Sequence, residues 1–421
     1  MSDELDDIES TEESLLGGDH PYRRGSARAA LAHRDFRLVW SGSLASNIGT
    51  WMQNAALGAL AYELTKSSGF VALLGFAQLG PLLALSLVGG LLADSIDRRF
   101  LLISSQFVQM GLSLVLALVA AQDEPAKAGL VLCVLGIGIA NALSAPTLSA
   151  VQPQLVGQED LPGAVSLQSV QLNLSRVIGP VIGGLILPRV HPSGVFAING
   201  ATYLFAIATL LMVKIPRPYP DHNEQGLRRV LGGFRVARER ALIGRCLMMV
   251  TSFSFFCLPF IGLMPVIAGD NLGMDVTGEA YGFLFAAFGT GAALGAIAVG
   301  TVLVPYSKAR VVQVSLPLFA VSLAALAMLR TPAPAFPLIF LVGFFYFSKL
   351  TSLSTVLQSN LTQDVRGRVM SLWIMGFGGT VPIGLLAFGA LADRTNVTVV
   401  LLIGAAIAVV LPLLIRITDN E

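Results

Sequence analysis

Long apolar runs follow one another along almost the whole chain, from about residue 38 to residue 415. A helix needs about 20 mostly apolar residues to cross a bilayer core of about 30 Å. Of the 421 residues, 54% are hydrophobic and 13% are charged, whereas a soluble domain carries about 25% charged residues. Because so few charges cannot cover a water-facing surface, the sequence predicts an all-α integral membrane protein.

Twelve windows are long and apolar enough to serve as spans, and they fall into two groups of six. The predicted fold is therefore two six-helix bundles. The predicted spans are 38–62, 70–93, 100–121, 128–150, 164–188 and 194–213, then 242–268, 280–303, 311–329, 336–357, 369–392 and 398–415. The corresponding domains are a disordered cytosolic tail 1–36, an N-terminal bundle 37–213, a cytosolic linker 214–241, a C-terminal bundle 242–416 and a short tail 417–421.

Lysine and arginine are distributed unevenly between the two predicted sides. Of the 27, 20 fall in segments on the side of the termini, five fall on the other side, and Arg176 and Lys349 fall inside spans. Cytosolic loops of membrane proteins are enriched in these residues. Both termini are therefore predicted to be cytosolic, in a multi-pass protein of the cell (inner) membrane.

Two short motifs interrupt the apolar pattern, and the two halves repeat a third. "GGLLADSIDRRFLL" at 89–102 concentrates charge between spans 2 and 3, and "SRVIGPVIGG" at 175–184 places glycine and proline inside span 5. "LSAVQPQLVGQEDLPGAVSL" at 148–167 recurs in altered form at 353–372. Internal duplication of six spans is typical of transporters built from two related halves.

These motifs resemble those of the major facilitator superfamily, over about residues 34–416. The charged turn resembles the signature between helices 2 and 3, with Gly90, Asp94, Arg98 and Arg99 matching, although Ser95 and Asp97 depart from it. Span 5 is similar to the helix 5 motif of exporters and antiporters, at Gly179, Pro180, Gly183 and Gly184. With "GTWMQ" at 49–53 and "VRGRVMSLW" at 365–373, the chain resembles the branch that contains the enterobactin exporter and related efflux proteins.

The resemblance implies that the charged turn closes the cytosolic side. Asp94 would face the N-terminus of helix 11, near Gly367 and Arg368, where unpaired N–H groups carry partial positive charge. Arg98 and Arg99 would hold Asp94 in place. The alternative interpretation is that these charges only mark a cytosolic loop.

Polar side chains inside spans are the candidates for substrate binding, since they are costly in a membrane. The set is Asn47, Trp51, Asn54, Asn141, Asn173, Arg176 and Lys349. The amides could instead bond between helices, and Arg176 could bond to carbonyls beside Pro180. No Asp, Glu or His lies centrally in any span. The cavity is therefore expected to be positive or neutral, which favours an anionic or amphipathic substrate over a polycation.

The leading hypothesis is a secondary active exporter of a small amphipathic or anionic compound, siderophore- or drug-like, working by alternating access. The resemblance implies coupling to a proton. Because no acid lies at mid-span, the candidates to bind the proton are the peripheral Asp94, Asp35 and Glu63, or Lys349. A potential-driven anion exporter and a non-transporting sensor or scaffold are the alternatives. The sequence predicts no enzyme, cofactor, metal site or nucleic-acid partner, and a monomer whose partners are substrate, proton and membrane lipid.

The predicted orientation is testable by labelling. Single cysteines in the linker 214–241 should resist membrane-impermeant thiol reagents in intact cells, whereas cysteines at 123–127 should react, because the positive-inside rule places these segments on opposite sides. The reverse labelling pattern would contradict the predicted topology.

Overall fold

The computed structural model describes Tyr22 and residues 24–215 and 227–418, without the side chains of 86–95, 227–231 and 363–364. The Asp94 side chain and the surroundings of Gly90 in the charged turn therefore lie outside the described part, as do residues 1–21 of the predicted tail and 216–226 of the linker. In the described ranges the chain is helical and contains no strand.

Counting only α-helices of six residues or more within the described residues, six precede residue 216 and eight follow residue 226. They are α1 Ala27–Ala32, α2 Arg34–Thr65, α3 Ser68–Ser95, α4 Arg98–Ala120, α5 Lys127–Gln154 and α6 Leu161–Leu211. α7 Leu227–Glu239 lies within the linker. After it come α8 Ala241–Cys257, α9 Glu279–Gly300, α10 Lys308–Met328, α11 Ala335–Ser359, α12 Gln363–Ile374, α13 Thr380–Arg394 and α14 Val397–Leu414. One-turn helices and the π-helix Ile267–Asn271 extend α8, and the π-helix Met375–Gly379 joins α12 to α13.

Ten helices in the described part are long and apolar enough to cross a membrane. Two features separate this number from the twelve predicted spans. α6 has non-helical backbone at His191 (φ 56°, ψ 169°), directly before Pro192, whose ring disfavours the helical conformation of the preceding residue. α2 is long enough but lies outside the ten, and it carries a series of serine, threonine and amide side chains. A count of twelve stays a prediction.

The helices form two bundles in contact. In the first half α2 packs on α6, and α3 packs on α5; in the second half α11 packs on α9 and α10. Across the halves, α3 packs on α13 and α6 packs on α9. These two pairs form the interface between the bundles.

Two ends of the molecule are distinguished below. The terminal end contains both described chain ends and the connections 95–98, 154–161, 239–241 and 359–363. The far end contains the connections 65–68, 120–127, 328–335 and 394–397, and the region 270–279. The sequence predicts that the terminal end faces the cytosol.

Part of the predicted tail is folded at the terminal end. The backbone N–H of Gly25 donates to Asp160 Oδ1 at 3.0 Å, and His33 Nε2 lies 2.9 Å from Asp160 Oδ2. Arg24 pairs with Glu159 at 3.2 Å. The segment 24–36 is therefore attached to the connection between α5 and α6.

The linker contains a helix, as its alternating apolar and basic residues suggest. α7 packs against α12, where Gly233 lies against the backbone of Arg368. Its other described face exposes Phe234, Arg235 and Arg238. One side of α7 thus contacts protein, and a side that carries apolar and basic residues is exposed.

The interiors of the two bundles differ chemically. In the first, Gln53 on α2 accepts hydrogen bonds from Ser113 (3.1 Å) and Asn199 (2.8 Å). In the second, rings of Phe253, Phe319 and Tyr346 pack together at centroid distances of 5.1 and 5.7 Å. Amide bonds connect the helices of the first bundle, and aromatic packing connects those of the second.

The contact between α9 and α11 depends on glycine. A Cβ at Gly343 would lie 2.2 Å from the Phe288 carbonyl oxygen, and one at Gly291 would lie 2.0 Å from that of Phe340. Small residues allow membrane helices to approach this closely.

Gly343→Ala should therefore lower the unfolding temperature of the purified protein, because forcing atoms into a packed interior costs about 1–3 kcal/mol. The matched control is Gly111→Ala, a helical glycine with nothing within 4 Å of the added atom. It should leave the unfolding temperature unchanged or raise it, since alanine favours helix. Equal effects of the two changes would contradict the role of close approach.

Candidate functional site

A cavity of about 520 Å³ lies between the two bundles. Its wall includes residues of α2 to α6 on one side and of the α8 extension, α9, α11 and α13 on the other. The lining includes Ser43, Leu102 and Gln168 toward the terminal ends of their helices, and Gly58, Val71 and Tyr281 toward the far ends of theirs. The cavity therefore occupies the centre of the molecule between the two bundles.

The wall from the first bundle is rich in carboxamides. They are Asn47, Asn54, Gln78, Gln106, Gln109, Asn141, Gln152, Gln168 and Gln171. Some bond to one another: Gln78 donates to Asn54 at 2.5 Å, and Gln152 donates to Gln171 at 3.4 Å. This wall presents both donors and acceptors to whatever occupies the cavity.

The wall from the second bundle is mainly apolar and aromatic. It is formed by residues such as Leu258, Pro259, Tyr281, Phe285, Phe288, Tyr346 and Phe377. Phe377 and Gly378 belong to the π-helix Met375–Gly379, an irregularity that often accompanies functional sites.

Arg176 on α6 is the one charged side chain among the described residues of the cavity wall. Its guanidinium carbon lies 5.1 Å from the Trp51 ring centroid and 5.5 Å from that of Phe347. Nε has no hydrogen-bond partner in the described part of the chain. The two rings hold the guanidinium by cation–π contact and leave hydrogen-bond donors for an anion.

Three other buried atoms of the wall lack a described hydrogen-bond partner: Gln106 Oε1, Gln152 Oε1 and Tyr281 Oη. Buried polar atoms in proteins are almost always paired with protein or water. Unpaired atoms that line a cavity can be satisfied by water or by a ligand, so these three mark points of polar contact.

Five of the seven predicted substrate-binding residues line the cavity: Asn47, Trp51, Asn54, Asn141 and Arg176. Two lie elsewhere. Asn173 donates to the Ser169 carbonyl of its own helix at 2.9 Å, one position off the cavity face. Lys349 is 1% exposed inside the second bundle.

Sequence reasoning left out the glutamines of α3, α4 and α5 that line the cavity, Gln78, Gln106, Gln109 and Gln152. The sequence shows these glutamines as amide side chains inside apolar runs. Helix periodicity alone does not show which face of a span meets the other bundle, so it did not identify them as cavity residues.

The described part of the charged turn is bonded within the first bundle. Asp97, which departs from the signature, caps α4 by accepting from the N–H groups of Arg99 (2.8 Å) and Phe100 (3.1 Å). Arg98 donates to Gln154 at 2.9 Å, and Arg99 donates to the Leu211 carbonyl at 2.5 Å. These arginines tie the start of α4 to the ends of α5 and α6.

Gly367 and Arg368 lie half-buried in α12. The Gly367 carbonyl accepts from Ser371 at 2.9 Å, and the Arg368 side chain lies beside Gly232 of α7. The predicted contact between Asp94 and this helix involves a side chain outside the described part.

The helix 5 motif places two glycines against α2 and one against α9. A Cβ at Gly179 or Gly183 would meet the backbone of α2 near Trp51 and Met52. Gly184 lies against Gly282 of the other bundle, with no room for a side chain on either. Pro180 lines the cavity. The motif thus packs α6 into its own bundle and brings the two bundles into backbone contact near the far end.

Three polar contacts cross between the bundles at the far end, and we call them the far-end contacts. Tyr62 Oη donates to Asp270 Oδ1 at 2.5 Å. Asp393 Oδ2 accepts from Ser67 Oγ (2.7 Å) and from the Gly69 N–H (3.0 Å). Arg189 pairs with Glu279 at 3.0 Å. With the Gly184–Gly282 contact, they join the two bundles at the far end.

Two bundles of apolar helices around a central cavity define a membrane transporter. A family model for a transmembrane secretion effector matches residues 25–419. The chain belongs to this family of the major facilitator superfamily, which confirms the resemblance seen in its motifs, and it is a transporter rather than an enzyme.

Known proteins are similar along most of the chain. The enterobactin exporter EntS of Escherichia coli O1:K1 / APEC is 27% identical over 346 residues, which are 81% of each chain. The staphyloferrin A transporter of Staphylococcus aureus (strain NCTC 8325 / PS 47) is 26% identical over 367 residues, 85% of this chain and 89% of that one.

Solved structures share the fold. The nucleoside transporter NupG superposes with a TM-score of 0.71 at 13% identity, over 91% of this chain and 98% of that one. A bacterial homologue of the human lysosomal transporter Spinster, in an inward-facing and unoccupied conformation, gives a TM-score of 0.65 at 15% identity, over 91% and 96%.

Tyr62→Phe should weaken the far-end closure, because a hydrogen bond to a charged group contributes about 1.5–3 kcal/mol. Spin labels at Glu124→Cys and Thr331→Cys, on opposite bundles at the far end, should show a larger population at long separation. Thr395→Val is the matched control, since that hydroxyl donates to the Leu391 carbonyl of its own helix at 2.7 Å. An unchanged distance distribution in Tyr62→Phe would show that this bond does not hold the far end.

Proposed function

We propose that the protein is a proton-coupled secondary transporter that exports a small amphipathic anion of the siderophore type by alternating access. It works as a monomer in the cell (inner) membrane, with the terminal end in the cytosol. The single observation that carries the proposal is the two-sided cavity: amides and one guanidinium face an apolar, aromatic wall.

The chemistry of the two walls selects the substrate class. Arg176 offers a fixed positive charge in a low-dielectric site, where a carboxylate or catecholate can accept charge-assisted bonds. The carboxamides suit substrate hydroxyl and amide groups, and the aromatic wall suits an apolar or ring surface. A polycation finds no carboxylate among the described lining residues.

The relatives support the same class of substrate. One is named for the export of enterobactin and the other for the transport of staphyloferrin A. The similarity to each relative covers more than four-fifths of this chain. Export is therefore proposed as the direction.

The closed far end supports alternating access. The far-end contacts join the bundles on one side, and a central cavity lies between the bundles. Breaking these contacts and rocking the bundles would expose the same site to the opposite face. These contacts support a cycle in which the substrate is loaded from the cytosol.

Two of the three peripheral carboxylates considered for proton coupling are paired on their own helix or next to it. Asp35 lies 3.5 Å from Arg34, and Glu63 lies 3.0 Å from Lys66. Neither contacts the other bundle through these pairs. The third, Asp94, has its side chain outside the described part.

Arg176→Gln should reduce export of enterobactin or staphyloferrin A by about ten- to a hundredfold, because loss of charge-assisted bonds costs about 1.5–3 kcal/mol. Arg176→Lys should retain part of the activity, since it keeps charge but loses the planar donor geometry. Flux is measured in proteoliposomes. Asn173→Ala is the matched control on the same helix, off the cavity, and should transport normally.

Gradients imposed separately on the same proteoliposomes test the coupling. Flux that follows a pH gradient supports proton antiport. Flux that ignores pH but follows a potassium-diffusion potential would replace it with a potential-driven anion exporter. Absence of flux for both siderophores and for a matched aromatic cation would favour a non-transporting sensor or scaffold.

A further inference from the structure

Lys349 has an environment unlike that of any exposed lysine in the chain. It lies near the middle of α11 and is 1% exposed. Nζ lies 3.4 Å from the Phe253 ring centroid and 6.0 Å from that of Tyr346. It has no hydrogen-bond partner in the described part of the chain. Among the described residues, the faces of these aromatic rings are therefore the contacts available to a charged Lys349 amine.

The helices packed against α11 bring no carboxylate to this level. α8 contributes Arg245 and Cys246 in its first turns and Cys257 at its end; α9 contributes Glu279 and Tyr281 in its first turn; α10 contributes Lys308 and Arg310 in its first turn. Of these, the Cys257 thiol is the group within electrostatic reach of Nζ. Tyr346 is the other titratable side chain of α11 itself.

This setting accommodates two forms of the amine that differ by one proton. A neutral amine can remain in the apolar interior without a counter-ion. An ammonium is costly there, but it gains from the face of Phe253, because a cation over a desolvated ring is attracted by the ring quadrupole. A change in the packing around Phe253 would therefore change which form is favoured.

The rings connect Lys349 to the cavity. Phe253 stacks on Tyr346 at 5.7 Å with an 11° interplanar angle, and Tyr346 stacks on Phe288 at 6.3 Å and 15°. Tyr346 and Phe288 both line the cavity. A substrate that moves either ring, or a rocking of the bundles that moves Phe288, alters the ring on which the ammonium depends.

Two buried hydroxyls provide polar atoms along the same helices. Ser352 lies one turn from Lys349 on α11, and Ser254 lies one turn from Cys257 on α8. Neither hydroxyl oxygen has a described hydrogen-bond partner. Buried hydroxyls such as these are usually paired with protein or water, and water bound to them would offer a path for a proton to and from Lys349 Nζ.

We propose that Lys349 is the site that binds the coupling proton, taking it onto the Nζ lone pair when the far end is open and releasing it when the cavity faces the cytosol. The inference rests on the proposed proton antiport. The step adds one proton to a neutral amine to give an ammonium, and its reversal returns the proton to water. The ammonium then holds Phe253, and its loss frees the stacked cavity wall.

The first experiment measures conformation without any substrate. The spin-label pair at positions 124 and 331 reports the far-end distance in the full-length protein as pH is lowered from about 9 to about 6, a range in which ordinary carboxylates stay ionised. The wild type should shift toward the long distance as pH falls. Lys349→Met, which cannot take up a proton, and Lys349→Arg, which cannot release one, should each give a pH-independent distribution.

The control is Lys127→Met, an exposed lysine at the far end, which should shift with pH as the wild type does. A wild-type distribution that ignores pH, or a pH shift that survives in Lys349→Met, overturns the assignment. A lysine with a purely structural role would change stability in Lys349→Met without removing the pH dependence.

The second experiment separates this inference from the proposed function. In proteoliposomes, Lys349→Met should lose uphill accumulation driven by a pH gradient, down to the level of empty liposomes, while it still exchanges internal for external siderophore. If the wild type follows the pH gradient and Lys349→Met follows it too, only the Lys349 assignment fails. If the wild type ignores the pH gradient, proton antiport itself fails.

Discussion

The structure depends on one constraint, the absence of water in the bilayer core, which obliges polar groups to find partners inside the protein. The first long helix, α2, shows the consequence most directly. Gln53 on one face is satisfied by Ser113 and Asn199 of its own bundle. Asn47 and Asn54 on another face line the cavity. A helix polar on two faces cannot border lipid broadly, so α2 must lie between the bundle interior and the cavity.

The same constraint explains why the bundles have diverged in chemistry although their sequences retain a repeat. Amide contacts in the first bundle leave spare donors and acceptors at the cavity, whereas ring packing in the second leaves an apolar surface. On the proposed function, this difference would orient an amphipathic anion with its polar groups toward the first bundle and its apolar surface toward the second.

The sequence predicted the class of fold and much of the cavity, because polar residues in apolar spans are rare and have few places to go. Trp51 and Arg176, both predicted as substrate-binding residues, line the cavity, and their cation–π contact was not foreseen. Asn173 differs from Arg176 by three positions, and only the rotation of α6 decides that one faces the cavity and the other bonds to Ser169. Lys349 was expected in the cavity because a charge needs water or a counter-ion, and a ring face was not considered. Asp97 breaks the motif in sequence but caps α4, a role visible only once the helix start is known.

The contact of Asp393 with the start of α3 has a further consequence for motion. Ser67 accepts from Phe70 N–H at 3.1 Å, as an N-cap residue does, but the Gly69 N–H is satisfied by a carboxylate from the opposite bundle. A negative charge at a helix N-terminus stabilises its first turn. Separation of the bundles at the far end would remove half of this cap, so α3 would begin to fray at the moment of opening. The Gly69 amide would then exchange its hydrogen faster in the open form, and a single backbone proton would report which way the transporter faces.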